Sequence, residues 1–305
     1  MKTTFLFPGQ GSQSVGMGSD LCDSFESAKE RFGQADSILG RNLSSIILDG
    51  PAEQLTATQN TQPALFTIES AITDILTQKG IRPDFVAGHS LGEYSALYAA
   101  GVITFEDGLK LVAKRGEIMS GVGKETPGAM AAVIGLEKEK IKEVLSGVQV
   151  GVVVTANENS PDQTVISGEV EAVKEACGKL KEAGAKRAIL LPVSGAFHSP
   201  LMKSAAEAFE KVLEPVKFSD ARCPVITNVR AKTETDAQAL KGLLVKQLVS
   251  PVRWVESMHT LSSLETESVL EVGPGIVLKG LGRKCKPAIN VVPCGSVENI
   301  YSLLT

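Results

Sequence analysis

Gly88-His89-Ser90-Leu91-Gly92 fits G-x-S-x-G and lies between a stretch with strand composition and one with helix composition, the setting that a nucleophile elbow requires. Glycines two before and two after the serine let the chain turn tightly enough to expose its hydroxyl. The N–H of Leu91 then stands at a helix N-terminus, where unpaired donors and the dipole favour a developing oxyanion. A plain strand-to-helix turn with Ser90 as its N-cap would use the same residues. A serine hydroxyl is a poor nucleophile near neutral pH, so chemistry here needs a base, and histidine is the natural one. Of the three histidines, His89 adjoins the serine and should point elsewhere, and His259 sits at the amphipathic boundary of a predicted helix. His198 stands in Ser194-Gly195-Ala196-Phe197-His198-Ser199-Pro200, an irregular stretch where a candidate insert rejoins the rest of the chain. Clefts form at such junctions. On position alone a structural role for His198 is equally open.

Arg115 is a second anomaly. Leu111 one turn before it and Ile118 one turn after place it beside the apolar stripe of a predicted helix, where an unpaired guanidinium would cost several kcal/mol. Its partner is either an internal Asp or Glu, or a substrate carboxylate held by the arginine fork. The glycines of Pro8-Gly9-Gln10-Gly11-Ser12-Gln13 have neither the G-x-G-x-x-G nor the P-loop spacing. After a first parallel strand, such a stretch can instead aim an N–H into the crevice beside the strand ends.

The elements that must hold these groups alternate. Thr3 to Phe7 is predicted as a buried strand, the apolar spacing from Pro63 to Gly80 as a helix, Phe85 to Gly88 as a strand and Gly92 to Ala100 as a helix. Thr104 to Asp107 resembles a capping box opening a helix with Leu109, Val112, Gly116 and Met119 on one face. Such alternation implies a parallel sheet covered on both sides. Between Pro127 and Val193 the pattern changes to β-α-β twice over: strands at Ala129–Ile134 and Val148–Thr155 around a helix at Glu137–Leu145, then strands at Thr164–Ser167 and Arg187–Leu191 around a helix at Val170–Ala183. That is the split βαβ pattern of a ferredoxin-like unit. Strands at Pro224–Val229, Ser268–Val272 and Ile289–Val292 resume the first pattern, with helices at Asp236–Val249, Val252–Leu264 and Ile276–Leu281. The expected organisation is a large α/β domain over 1–125 and 197–305 with an inserted subdomain over 126–196.

Composition narrows the function classes. Across 305 residues, 31 Lys and Arg against 35 Asp and Glu leave a formal charge of −4, so there is no overall positive field for nucleic acid. No segment approaches the ~20 apolar residues of a membrane span, and the apolar run Phe5-Leu6-Phe7 is too short for a signal peptide. Five scattered cysteines without C-x-x-C suggest reduced thiols in a cytoplasmic protein. No spacing suits a metal.

Together, FPGQGSQ (7–13), GHSLGEY (88–94), Arg115-Gly116 with Met119, AFHSPLM (196–202), QLVSPVRW (247–254) and EVGPGIVL (271–278) closely resemble the malonyl-CoA:acyl carrier protein transacylase family, essentially from end to end. The resemblance implies an α/β-hydrolase-like core with a ferredoxin-like insert, and a monomer that needs no cofactor. Ser90 would be the nucleophile and His198 its base, with the Gln247 backbone carbonyl orienting the imidazole and the N–H groups of Gln10 and Leu91 receiving the oxyanion. Arg115 would hold the malonyl carboxylate, Met119 and Phe197 would line the acyl site, and Glu93 would steady the first helical turn. The implied partners are malonyl-CoA and phosphopantetheinylated acyl carrier protein. The basic cluster Lys279, Arg283, Lys284 and Lys286 is either a docking face for an acidic carrier or a solvated surface. A serine esterase or thioesterase would share Ser90 and His198 but would place an Asp or Glu as third member and have no use for Arg115. A discrete acyltransferase of a polyketide synthase would share every site residue.

Overall fold

A computed structural model describes residues 2–125, 127–193 and 195–304. Thr126, where the insert is expected to begin, and Ser194, in the stretch before His198, lie outside the described residues. Among the described residues ten strands form two sheets: β1 (Thr3–Phe7), β2 (Phe85–Gly88), β3 (Gly128–Ile134), β4 (Val153–Ser160), β5 (Gln163–Glu169), β6 (Arg187–Leu190), β7 (Val225–Ile226), β8 (Thr233–Glu234), β9 (Ser268–Val272) and β10 (Val292–Cys294). The larger sheet has the order β10-β9-β1-β2-β7-β8 and is parallel except for β8. Every residue of its central strand β1 is buried, as expected where both faces are covered. Phe5 and Phe7 enter the core under the helices Thr58–Gln78 and Phe105–Glu125, whereas Leu6 packs on the opposite side with Ala87, Ile226 and Trp254. Phe66 stacks on Phe105 with ring centroids 5.7 Å apart, joining those two helices.

The smaller sheet is antiparallel, in the order β4-β5-β3-β6. Ala131, Val133 and Ile166 pack against its helices Lys138–Ser146 and Val170–Glu182. Met130, Ala132 and Val165 point the other way, into a cavity shared with the larger sheet, as the two-residue strand period requires. Among the described residues no helix is long and apolar enough to cross a membrane.

Several elements depart from expectation. The strand expected at Val148–Thr155 runs instead from Val153 to Ser160. Gly151 sits at φ +145°, breaking the chain just before it, and the strand's second half is the buried polar run Asn157-Glu158-Asn159-Ser160, which carries no apolar period. Pro224–Val229 shortens to the two residues of β7, and the last strand begins at Val292, not Ile289. The helix expected from Pro63 starts at Thr58. Proline removes the bond to the carbonyl four residues back, and here that carbonyl, of Gln59, accepts from Arg41 Nη2 at 3.2 Å. The cap at Thr104 is as expected, its Oγ1 accepting from the Asp107 N–H at 3.1 Å.

Candidate active site

Ser90 ends the turn that follows β2, at φ +52°, a conformation rare for a residue with a Cβ. The turn closes because its flanking residues are glycines. A Cβ on Gly88 would lie 1.9 Å from the Gly92 carbonyl carbon, and one on Gly92 would lie 2.1 Å from the Phe7 carbonyl oxygen. Asn228, in the turn after β7, braces the same bend: its Oδ1 accepts from the Ser90 N–H at 2.7 Å and its Nδ2 donates to the Gly88 carbonyl at 2.6 Å. The helix Gly92–Ala99 starts directly after, with Leu91 as its N-cap. Among the described residues, no acceptor meets the N–H of Leu91 or of Gln10, and both residues line the cavity.

His198 comes from the loop before the short 3₁₀ turn Pro200–Met202 and also sits at positive φ, +56°. Its Nε2 is 2.8 Å from Ser90 Oγ and its Nδ1 is 2.9 Å from the main-chain carbonyl of Gln247. A carbonyl can only accept, so Nδ1 carries the proton and the Nε2 lone pair faces the hydroxyl. Burial, followed by the charge of Arg115, pushes the His198 pKa down to about 3, which keeps the imidazole neutral and able to take a proton. His89 points away, its Nε2 lying 2.8 Å from Asn159 Oδ1, and His259 is exposed on its helix.

Arg115, in the middle of Phe105–Glu125, is 1% exposed. Its Nη1 donates to Gln62 Oε1 at 2.8 Å, and its Nη2 donates to Gln247 Oε1 at 3.0 Å and Ser90 Oγ at 3.2 Å. No Asp or Glu among the described residues pairs directly with it. Tyr94 lies under the guanidinium, 5.5 Å from the ring centroid. Burial lowers the Arg115 pKa, while the neighbouring Tyr94 and Glu93 oppose the shift. Met119 is buried beside Gln62, whose Nε2 is 3.5 Å from its Sδ, and Phe197 is buried at the cavity wall. The cavity holding Ser90, His198, Arg115, Met119 and Phe197 measures about 230 Å³ and adjoins an outer groove of about 350 Å³ that shares Gln10, His89, Asn159 and Gln163 with it.

One reading needs correction and three residues are additions. Glu93 lies in the first helical turn, but its carboxylate turns away from that turn: Oε1 accepts from the Asn228 N–H at 3.2 Å and Oε2 accepts from Gln247 Nε2. Asn228, Asn159 and Gln62 have no counterpart in the sequence reading. The available signal for Asn228 was its place just past a parallel strand, since ligand crevices open at the carboxyl ends of such strands.

The serine–imidazole contact, the buried arginine beside it and the two free N–H groups are the kinds of group that acyl transfer through a serine calls for. Residues 4–295 match the acyl transferase domain family. The chain is 46% identical to the malonyl CoA-acyl carrier protein transacylase of Bacillus subtilis (strain 168) over 98% of its own length and 95% of the relative's. Among solved structures it is similar to a malonyl-transacylase in complex with its holo type II PKS acyl-carrier protein, at TM-score 0.97 and 41% identity, covering 100% of this chain and 99% of that one. It is likewise similar to an acyl carrier protein S-malonyltransferase from Vibrio cholerae O1 biovar eltor str. N16961, at TM-score 0.95 and 43% identity over 99% of this chain and 100% of that one. With relatives this similar along nearly its whole length, the chain belongs to the malonyl CoA-acyl carrier protein transacylase family of acyl transferases.

Proposed function

We propose that this protein moves the malonyl group from malonyl-CoA to the phosphopantetheine thiol of acyl carrier protein, in fatty acid synthesis, through a malonyl ester on Ser90. The observation that carries the reading is the 2.8 Å Ser90–His198 contact in the same cavity as a buried arginine that has no direct carboxylate partner among the described residues. Ser90 Oγ attacks the thioester carbonyl while His198 Nε2 takes its proton. The oxyanion is received by the N–H groups of Leu91 and Gln10, in a place where preorganised donors stabilise charge most. As the carbonyl re-forms, the C–S bond breaks and His198 returns the proton to the CoA thiolate. The carrier's thiol then gives its proton to His198 and attacks the ester, and Ser90 recovers the proton as it leaves. Arg115 holds the malonyl carboxylate throughout. Gln247 supplies the carbonyl that fixes the imidazole, so no acidic third member is required, which disfavours the esterase reading.

The strand order β4-β5-β3-β6 with its two helices supports a ferredoxin-like insert over 126–196, and the larger sheet supports an α/β-hydrolase-like domain over 1–125 and 197–305. A cytoplasmic location is in keeping with five free cysteines. Arg283, Lys284 and Lys286 are exposed near the outer groove, which Lys284 lines, a charge pattern suited to an acidic carrier.

Intact-protein mass spectrometry after mixing with malonyl-CoA tests the proposal. Wild type should gain one malonyl group, releasable by holo acyl carrier protein, and Ser90→Ala should gain none; an adduct persisting on Ser90→Ala would sink the nucleophile assignment. Assaying holo carriers of fatty acid and polyketide systems side by side separates the two pathways.

A further inference from the structure

Among the described residues Arg115 has no direct counter-charge, yet it is as buried as the core leucines. Its charge is met through an intermediary. The side-chain amide of Gln247 accepts from Arg115 Nη2 with its oxygen, and with its nitrogen donates both to Glu93 Oε2 and, at 3.0 Å, to the Ser90 carbonyl. These partners fix the amide's orientation, because a flipped amide would set NH₂ against the guanidinium and oxygen against the carboxylate. Glu93 is 2% exposed, and each of its oxygens accepts a proton donor, from Asn228 and from Gln247. The ionised carboxylate is a full acceptor at both oxygens, whereas a protonated one would be so only at its carbonyl oxygen. Burial opposes that state and pushes the Glu93 pKa up to about 7, with the Gln247 and Asn228 hydrogen bonds and the Arg115 charge pulling the other way.

We propose that Glu93, acting through the Gln247 amide, is the positioning residue that sets Arg115 for carboxylate recognition, an ion pair completed across one side-chain amide. This rests on the reading of Arg115 as the malonyl carboxylate receptor. The bridge pins one Nη2 hydrogen while Gln62 holds one on Nη1, so the guanidinium plane is held before substrate arrives. A direct Asp or Glu partner would occupy the fork itself and compete with the malonyl group.

The test is kcat/KM for malonyl-CoA and for acetyl-CoA, with holo acyl carrier protein as acceptor, on wild type, Glu93→Ala, Glu93→Gln, Arg115→Ala and the Glu93→Ala/Arg115→Ala double variant, with thermal melts alongside. Glu93→Ala should lower the malonyl-to-acetyl ratio at least ten-fold. Glu93→Gln, with one oxygen for two donors, should fall between it and wild type, and the double variant should match the ratio of Arg115→Ala alone. A ratio unchanged in Glu93→Ala but lowered in Arg115→Ala rejects the positioning role and keeps the receptor. A ratio unchanged in Arg115→Ala rejects the receptor itself. Equal losses on both substrates with a lowered Tm mean that Glu93 is merely structural and also overturn the proposal. Should Glu93→Ala not fold, Gln247→Met keeps the main-chain carbonyl for His198 and removes the amide: a lowered ratio then supports the bridge, and equal losses refute it.

Discussion

The two sheets share one cavity and bring opposite kinds of atom to it. From the turns that follow the parallel strands β1, β2 and β7 come Gln10, Ser90 and Asn228, each engaged in or facing hydrogen bonds of the elbow. From the antiparallel sheet come the apolar Met130, Ala132 and Val165 together with the amides of Asn157, Asn159 and Gln163, the last two of which also line the outer groove. The parallel side brings polar groups to the cavity from these turns, and the antiparallel side brings its apolar wall. An apolar wall lowers the local dielectric and strengthens every charge opposite it, that of Arg115 above all. Damage should therefore be severe and substrate-independent on the first side, and small and partner-dependent where the two sides merely touch.

The largest effect is expected at the proposed base. His198→Ala should cost on the order of 10⁴-fold or more in kcat/KM with either acyl-CoA. The same residue sets a pH signature. A base must be unprotonated to act, and a pKa pushed down to about 3 leaves His198 neutral far below the ordinary histidine range. With acetyl-CoA, which does not call on Arg115, the acidic limb of kcat/KM for wild type should thus be absent near pH 6.5. Arg115→Ala removes a cation that lowers the His198 pKa, so the limb should move upward in that variant. A wild-type limb centred at the free histidine value would contradict the buried, neutral imidazole.

Asn228→Ala comes next. It removes the two bonds that brace Ser90, each worth about 1 to 1.5 kcal/mol net, so kcat/KM should fall about 30- to 160-fold, equally for malonyl-CoA and acetyl-CoA. A substrate-selective loss would place Asn228 with the acyl group and not with the elbow. The smallest effect is expected where the two sides touch at the surface. Lys284, after the helix Val277–Gly282, is 3.3 Å from Asp162 in the turn between β4 and β5, and an exposed pair of this kind contributes about 1 kcal/mol or less. Lys284→Glu should scarcely move Tm, yet raise KM for the carrier protein several-fold without raising it for malonyl-CoA. Equal rises for both would remove Lys284 from carrier docking.

Legibility in the sequence followed the kind of atom involved. β1, β2, the elbow and the helix Phe105–Glu125 were readable because apolar spacing and obligatory glycines carry them: no other residue fits at Gly88 or Gly92. The helices Ser19–Ser24, Glu26–Leu39, Leu43–Leu48 and Ala52–Thr56 were not read, nor was Lys203–Leu213. The first four include three of six residues or fewer, too short for a helical period to stand out. In the site, the family motifs mark Ser90, His198, Arg115 and Gln247, and the structure links all four in one hydrogen-bonded network. The bracing amides of Asn228, Asn159 and Gln62 carry no local pattern, since each meets its partner across 53 to 140 residues. β4 was misplaced for a related reason, its buried half being polar and satisfied by tertiary bonds.

The main-chain origin of the bond to His198 has an evolutionary consequence. The carbonyl of residue 247 is present whatever side chain stands there, so the orientation of the base is insulated from mutation at that position, while the amide that touches Arg115 is not. Substitution at 247 can therefore leave the acceptor of the imidazole in place while changing the side-chain bonds to Arg115, Glu93 and the Ser90 carbonyl. On the proposed roles, the orientation of the base and the setting of the acyl-group receptor are thus divided between the main chain and the side chain of one residue.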